Sequence, residues 1–190
     1  MPVETKQPAT RRILNAAREL VQRGGAAGVS MGDVAAHAGV SKALVHYHFR
    51  DKNSLLQALV EDVGLAVSQR AHDALQRDAG NRVLDDLWAW LEMELRAGDI
   101  RILISLAEYD SDRVRSASRR ILERRREAAI DHTAAVYSLL GLSPRVPAPL
   151  IADTVLAFID GIVVSHALDR ERDPRPAFDA LWLALLTLAE

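Results

Sequence analysis

From Ile13 to Leu186 the apolar residues of this chain recur at three- and four-residue spacing, and no sustained stretch alternates apolar with polar. That period belongs to the α-helix, which brings positions i, i+3, i+4 and i+7 onto one face; a half-buried strand would alternate instead. Ala, Leu, Arg and Glu, all good helix formers, dominate, and aromatic residues make up only 5%. The expected fold class is all-α, with about nine helices. A length of 190 residues leaves room for an N-terminal three-helix head and a larger helical body.

The helix stops follow from local chemistry. Ile13, Leu14, Ala17, Leu20 and Val21 form the stripe of a first helix that Gly24-Gly25 ends. Ser30 and Asp33 have the spacing of a capping box for a second helix, and Ser41 caps a short third helix, Lys42 to Phe49. Asp51 opens a fourth. A fifth spans about Asn81 to Arg96, with Leu84, Leu87, Trp88, Leu91 and Leu95 on its inner face. A sixth runs from Ile100 to Tyr109 and a long seventh to Leu140, its basic run Arg119-Arg120 and Arg124-Arg125-Arg126 read as a solvated face. The eighth covers about Leu150 to Arg170 and the ninth Ala177 to Leu188. The expected domain division is 1–53 and 54–190, with the fourth helix as the link.

Composition removes several functions. With no cysteine there is no disulfide, thiolate metal site or cysteine nucleophile. No leader pattern is read at the N-terminus and no apolar run is read as approaching 18 residues, so a cytoplasmic protein without a membrane partner is expected. No metal or cofactor is expected: His46 and His48, two apart on a helix, point to different faces. Nucleophile elbows and phosphate loops are absent from the sequence. The net charge of -2 is unevenly spread. Residues 1–52 hold eight Lys or Arg against four acids, a local +4 on a body of -6. A basic end on an acidic body suits a polyanion.

The segment Val29 to Leu56 is the most informative. Two short helices are separated by Ala38-Gly39-Val40-Ser41, and a glycine there permits a steep exit for the second helix. Such a pair offers its second helix to a DNA major groove. Here that helix carries Lys42, His46, Tyr47 and His48, with Leu44, Val45 and Phe49 to hold it down. Phosphates want cations and hydroxyl donors, and base edges want groups that donate or accept. Ser41 and Lys42 lie at the helix N-terminus, where free N–H groups favour phosphate, and Lys52 suits a second phosphate contact.

At these residues the chain resembles the TetR family of regulators. Asp33, Ala35, Ala38, Gly39, Val40, Ser41, His48, Phe49 and Lys52 fall on the family's pattern, and Ile13-Leu14-Asn15-Ala16-Ala17 is similar to its first helix. The resemblance covers about residues 10–60. It implies a DNA-binding head, a helical ligand-binding and dimerisation body, and repression relieved by a small molecule. The DNA-contact candidates are Ser30, Ser41, Lys42, His46, Tyr47, His48 and Lys52. His46 stands where the family commonly has Tyr, and Ala43 where it commonly has Gly.

In the body, Trp88, Trp90, Met93, Tyr109, His132, Tyr137 and Phe158 are the candidates for effector contact, since pockets between packed helices are apolar with a few polar groups. The effector itself is unidentified. The last two helices are apolar on all sides, which calls for a cover. A second copy would supply it, through Phe158, Gly161, Ile162, Ser165, Leu181, Trp182 and Leu185, and the two-fold of that homodimer would match a palindromic operator. The alternatives are a helical protein-interaction module, or an enzyme using His132 or His166, with a vestigial helix-turn-helix.

Overall fold

The computed structural model describes residues 8–76 and 82–190. Among them are nine helices and no strand, only an isolated bridge between Pro144 and Ala189. The helices are α1 (Ala9–Gly24), α2 (Met31–Ala38), α3 (Lys42–His48), α4 (Lys52–Gln76), α5 (Val83–Ala97), α6 (Asp99–Ala107), α7 (Asp112–Leu139), α8 (Ala148–Leu168) and α9 (Arg175–Leu186). The expected start of the fifth helix at Asn81 lies outside the described residues. α6 ends two residues before Tyr109. Pro147 and Pro174 precede α8 and α9, each of which also has a proline in its first turn, where a missing N–H costs nothing.

The chain divides into two compact units: residues up to 63 with 102–121, and 64–101 with 122–190. The first takes in residues 1–53 and extends beyond them. In this unit α1 packs on α2 and α2 on α3. Ile13, Ala17, Val34, Val45, Leu55 and Leu59 are buried together. The loop after α6 and the start of α7 belong to it as well. Arg113 donates to the Ser54 hydroxyl at 2.8 Å, and Lys52 lies 5.3 Å from the centre of the Tyr109 ring.

In the second unit α5 packs on α8. The buried face of α5 is Val83, Trp90, Leu91 and Glu94; of the expected Leu84-Leu87-Trp88-Leu91-Leu95 stripe Leu91 is buried, while Leu84, Leu87, Trp88 and Leu95 are half-buried. The cause is an ion cluster. Glu94 is fully buried, and Arg70 of α4 grips it through Nε at 2.5 Å and Nη2 at 3.0 Å. The same Nη2 donates to Asp99 at 2.8 Å, so α4, α5 and the start of α6 share one guanidinium. Burial pushes the Glu94 carboxyl up, against the opposing pull of Arg70. A carboxylate satisfied in this way can face inward, and α5 turns to place it there.

A second departure concerns α7. Arg125 does not join a solvated face: it is buried, and its guanidinium donates to Asp160 of α8 at 2.6 Å. The neighbouring Arg126 makes a two-pronged contact with Asp153, at 2.6 and 2.8 Å. α8 itself is long and apolar enough to cross a bilayer by composition, contrary to the expectation that no such run exists. Its Asp153 and Asp160 are ion-paired with α7, and Ile151, Ile159 and Val163 are buried within the unit, while most of the helix is not buried in this chain.

Candidate nucleic-acid interface and body cavity

The turn between α2 and α3 is built from its caps. Ser30 accepts from the Asp33 N–H at 3.1 Å and donates its hydroxyl to the Asp33 carboxylate at 2.6 Å. At the other end Gly39 takes φ +62°, with its N–H on Ala36 O and the Val40 N–H on Ala35 O. This is the double closure of a Schellman turn, which needs a left-handed residue. Ser41 then accepts from the Leu44 N–H at 3.1 Å and starts α3. Asp51 does the same for α4 through the Ser54 N–H at 2.7 Å, and the Ser54 hydroxyl and N–H hold its carboxyl below the usual range.

One contact leaves no mark in the spacing. The Arg12 guanidinium donates to Ala38 O at 2.6 Å and Gly39 O at 2.7 Å, tying α1 to the turn. Arg11 and Arg18 of α1 both reach Asp62 of α4, at 2.6 and 3.0 Å. The basic first helix is thereby tied to the turn before α3 and to α4.

Within α3 the division of labour is clear. Val45 is fully buried, Phe49 follows it into the core, and Leu44 is half-buried. Lys42, Ala43, His46, Tyr47, His48 and Arg50 are exposed, Tyr47 by 82%. His48 is drawn back toward α1 by Thr10, whose hydroxyl lies 3.2 Å from Nδ1. His46 lies 3.4 Å from Arg50 O. Lys52 points back as well, donating to Ala27 O at 2.8 Å. Ser30 and Ser41 are occupied as caps. Of the expected DNA-contact residues, Lys42, His46 and Tyr47 thus present the outer face of α3, while Ser30, Ser41, His48 and Lys52 take part in holding the motif together.

The second unit holds a partly open cavity of about 80 Å³. α4 supplies Val67, Ser68 and Ala71; α5 supplies Leu87 and Trp90; α7, α8 and α9 close it with residues such as His132, Phe158 and Trp182. Trp90, His132 and Phe158 of the expected effector residues line it; Trp88, Met93, Tyr109 and Tyr137 do not. Trp88 instead packs on Phe178, 5.3 Å between ring centres, under the Arg175 guanidinium. Met93 is half-buried elsewhere on α5. Tyr109 belongs to the first unit. Tyr137 is a core tyrosine whose hydroxyl donates to Leu185 O at 2.7 Å, and burial pushes its phenol up. Ser68, Ala128 and His132 also line an outer groove that includes His72 and Asp131. Burial holds His132 below its ordinary 6.5, with His72 adding to the effect and Asp131 opposing it. Among the described residues no group of three or more His, Asp or Glu is arranged to hold a metal.

The expected dimer face is only partly on the surface. Ile162, Trp182 and Leu185 are buried within the chain's own unit, because α8 and α9 close its core with one side each. Gly161 and Ser165 are exposed, and Val164 and Leu168 (86% exposed) of α8 and Leu183 (69%) of α9 present apolar surface.

A short basic helix held at a fixed turn, with a polar outer face, joined in one chain to a separate helical unit with an apolar cavity, defines a class of one-component DNA-binding regulators. The relatives agree. Residues 13–59 match the bacterial regulatory proteins, tetR family. The HTH-type transcriptional regulator BetI of Agrobacterium fabrum is 30% identical over 175 residues, spanning 88% of this chain and 82% of its own length. The fold is also that of the transcriptional regulator FadR from Bacillus subtilis, solved with stearoyl-CoA (TM-score 0.73, 16% identity, 93% of this chain and 97% of that one). The regulatory protein TetR from Rhodobacter sphaeroides is similar too (TM-score 0.77, 18% identity, 96% and 99%). The chain belongs to the TetR family and is a DNA-binding transcriptional regulator.

Proposed function

We propose that this regulator is a repressor that binds a palindromic operator as a homodimer and leaves it when a small molecule fills the body cavity. The observation that carries the DNA half is the outer face of α3. Lys42, His46 and Tyr47 stand exposed on a helix whose inner face and both ends are fixed, which is the preorganisation that base and phosphate contacts require. In this reading residues 1–53 bind DNA, and 54–190 bind the effector and pair the protomers.

The exposed apolar side chains of α8 and α9 support a second copy as their cover. The cavity supports an effector. α4 gives Leu55 and Leu56 to the first unit's core and Val67, Ser68 and Ala71 to the cavity wall, so a ligand that favours one position of α4 biases the state that reads DNA. Only a difference in ligand affinity between the two states can do this. The role needs no catalytic step, and its place is the cytoplasm, where the operator is. Operator affinity measured with and without a cavity ligand tests the effector half: a lowered affinity supports release, and equal affinity overturns it.

A further inference from the structure

The cavity's polar groups are few, and none of them is acidic. Its wall contains Arg125 and the histidine His132, with Ser68 and Thr133, and no carboxylate among the described residues. The Arg125 charge is answered from behind by Asp160, which does not line the cavity. Two indoles complete the wall, Trp90 from α5 and Trp182 from α9, each more than nine-tenths buried. Neither Nε1–H has an acceptor among the described residues. A buried indole N–H ordinarily finds a partner, because leaving it unpaired forfeits its hydration with nothing in return. Both rings belong to cavity-lining residues, and their two N–H groups are unmet demands of the same kind.

The geometry points to an effector class: a mainly hydrocarbon molecule, neutral or anionic, whose hydrogen-bond acceptor meets the indole N–H of Trp90, Trp182 or both. This rests on the effector reading above and deepens it. The class follows from subtraction as much as from fit. A cation would enter a wall that offers no acid to pair it, and burial of an unpaired charge is costly. A pure hydrocarbon would fill the space and leave both N–H groups unpaired. An acceptor on an apolar body satisfies the donors and gains from the apolar lining at once. Burial that keeps His132 neutral near pH 7 is consistent with that polarity.

A matched series separates these cases: decan-2-one, decanoate and decylamine share a chain and differ in head group. Titrated calorimetrically into the full-length protein at pH 7, the ketone and the carboxylate are expected to bind, and the ammonium at least about tenfold more weakly. Trp90→Phe and Trp182→Phe keep an aromatic ring and remove the N–H. Each indole that meets the acceptor should cost the ketone about three- to tenfold in affinity when replaced, as loss of one hydrogen bond implies. Thermal melts of both variants show whether the fold is retained. A loss in one variant only assigns the acceptor to that indole. Equal binding of the ammonium, ketone affinity unchanged in both variants, or no binding of any probe by protein with a normal melt would overturn the class. The operator assay separates this from the effector reading. Head-group-indifferent binding that still lowers operator affinity overturns the ligand class and leaves effector control standing. Binding in the expected order that leaves operator affinity unchanged overturns effector control and leaves the ligand class standing.

Discussion

Arg12 and Gly39 form one joint: the guanidinium of Arg12 closes on the Gly39 carbonyl at 2.7 Å, and a Cβ at Gly39 would sit 3.1 Å from the same Nη2. Glycine takes the φ of +62° at position 39 at least cost, and its lack of a side chain also makes room for the arginine. Arg12→Ala should destabilise the protein by about 1–2 kcal/mol, as loss of charge-assisted hydrogen bonds does. Gly39→Ala should cost about 1–2 kcal/mol by backbone strain. Urea unfolding measures both. DNA affinity should fall further than the smaller folded fraction explains, since the joint sets the angle of α3.

The Arg70 cluster makes a larger prediction. Arg70→Met would take from Glu94 and Asp99, 0% and 1% exposed, the cation they share. Removing one partner from a buried ion group costs about 3 kcal/mol or more. Arg70→Met combined with Glu94→Met should recover part of that stability, because the second change removes an uncompensated charge. A double variant no more stable than the single one would contradict the account.

These two joints separate what a sequence can reveal from what it cannot. Ser30, Ser41, Asp51 and Gly39 act through neighbours three or four residues away, so their spacing alone places α2, α3 and α4. Arg12 and Arg70 act across 26 and 24 residues, and no local pattern marks them. The α5 register departs from its apolar stripe for the same reason. Glu94 counts as an outward residue until Arg70 is brought beside it, and once Glu94 turns in, Trp90 follows and Trp88 rolls toward Phe178. Arg125 is hidden in a basic run because Asp160 reaches it only after α7 and α8 pack. The expected dimer face is too large where α8 and α9 are apolar all round: period does not tell which side the chain itself covers.

His132 gives a pH signature. Its folded value lies below the ordinary 6.5 because it is buried, so the unfolded chain binds a proton at higher pH than the folded one. Its contribution to stability is present above about pH 6.5 and is lost as pH falls through the depressed folded value. Denaturant midpoints measured from pH 7.5 to 5 should therefore fall less in His132→Gln than in the parent. An identical pH slope in the two proteins would contradict the sign.

Pairing of the protomers makes a surface prediction. Leu168→Glu with Leu183→Lys places charge on the exposed apolar side of α8 and α9 without touching the buried Ile162, Trp182 or Leu185. Light scattering should find the parent at twice the 20.9 kDa chain mass and the variant at that mass. Both should have similar helical content. A parent at 20.9 kDa would contradict the homodimer.

The most direct test of the central claim is a salt titration of binding to DNA from upstream of the protein's own gene, comparing the parent with Lys42→Ala and Tyr47→Ala. The account predicts tight binding that weakens steeply with salt. Lys42→Ala should reduce the slope by about 1 for each phosphate that the lysine neutralises, and Tyr47→Ala should lower affinity with little change in slope. Binding indifferent to salt and to both substitutions, in variants that melt like the parent, would contradict α3 as the reading helix.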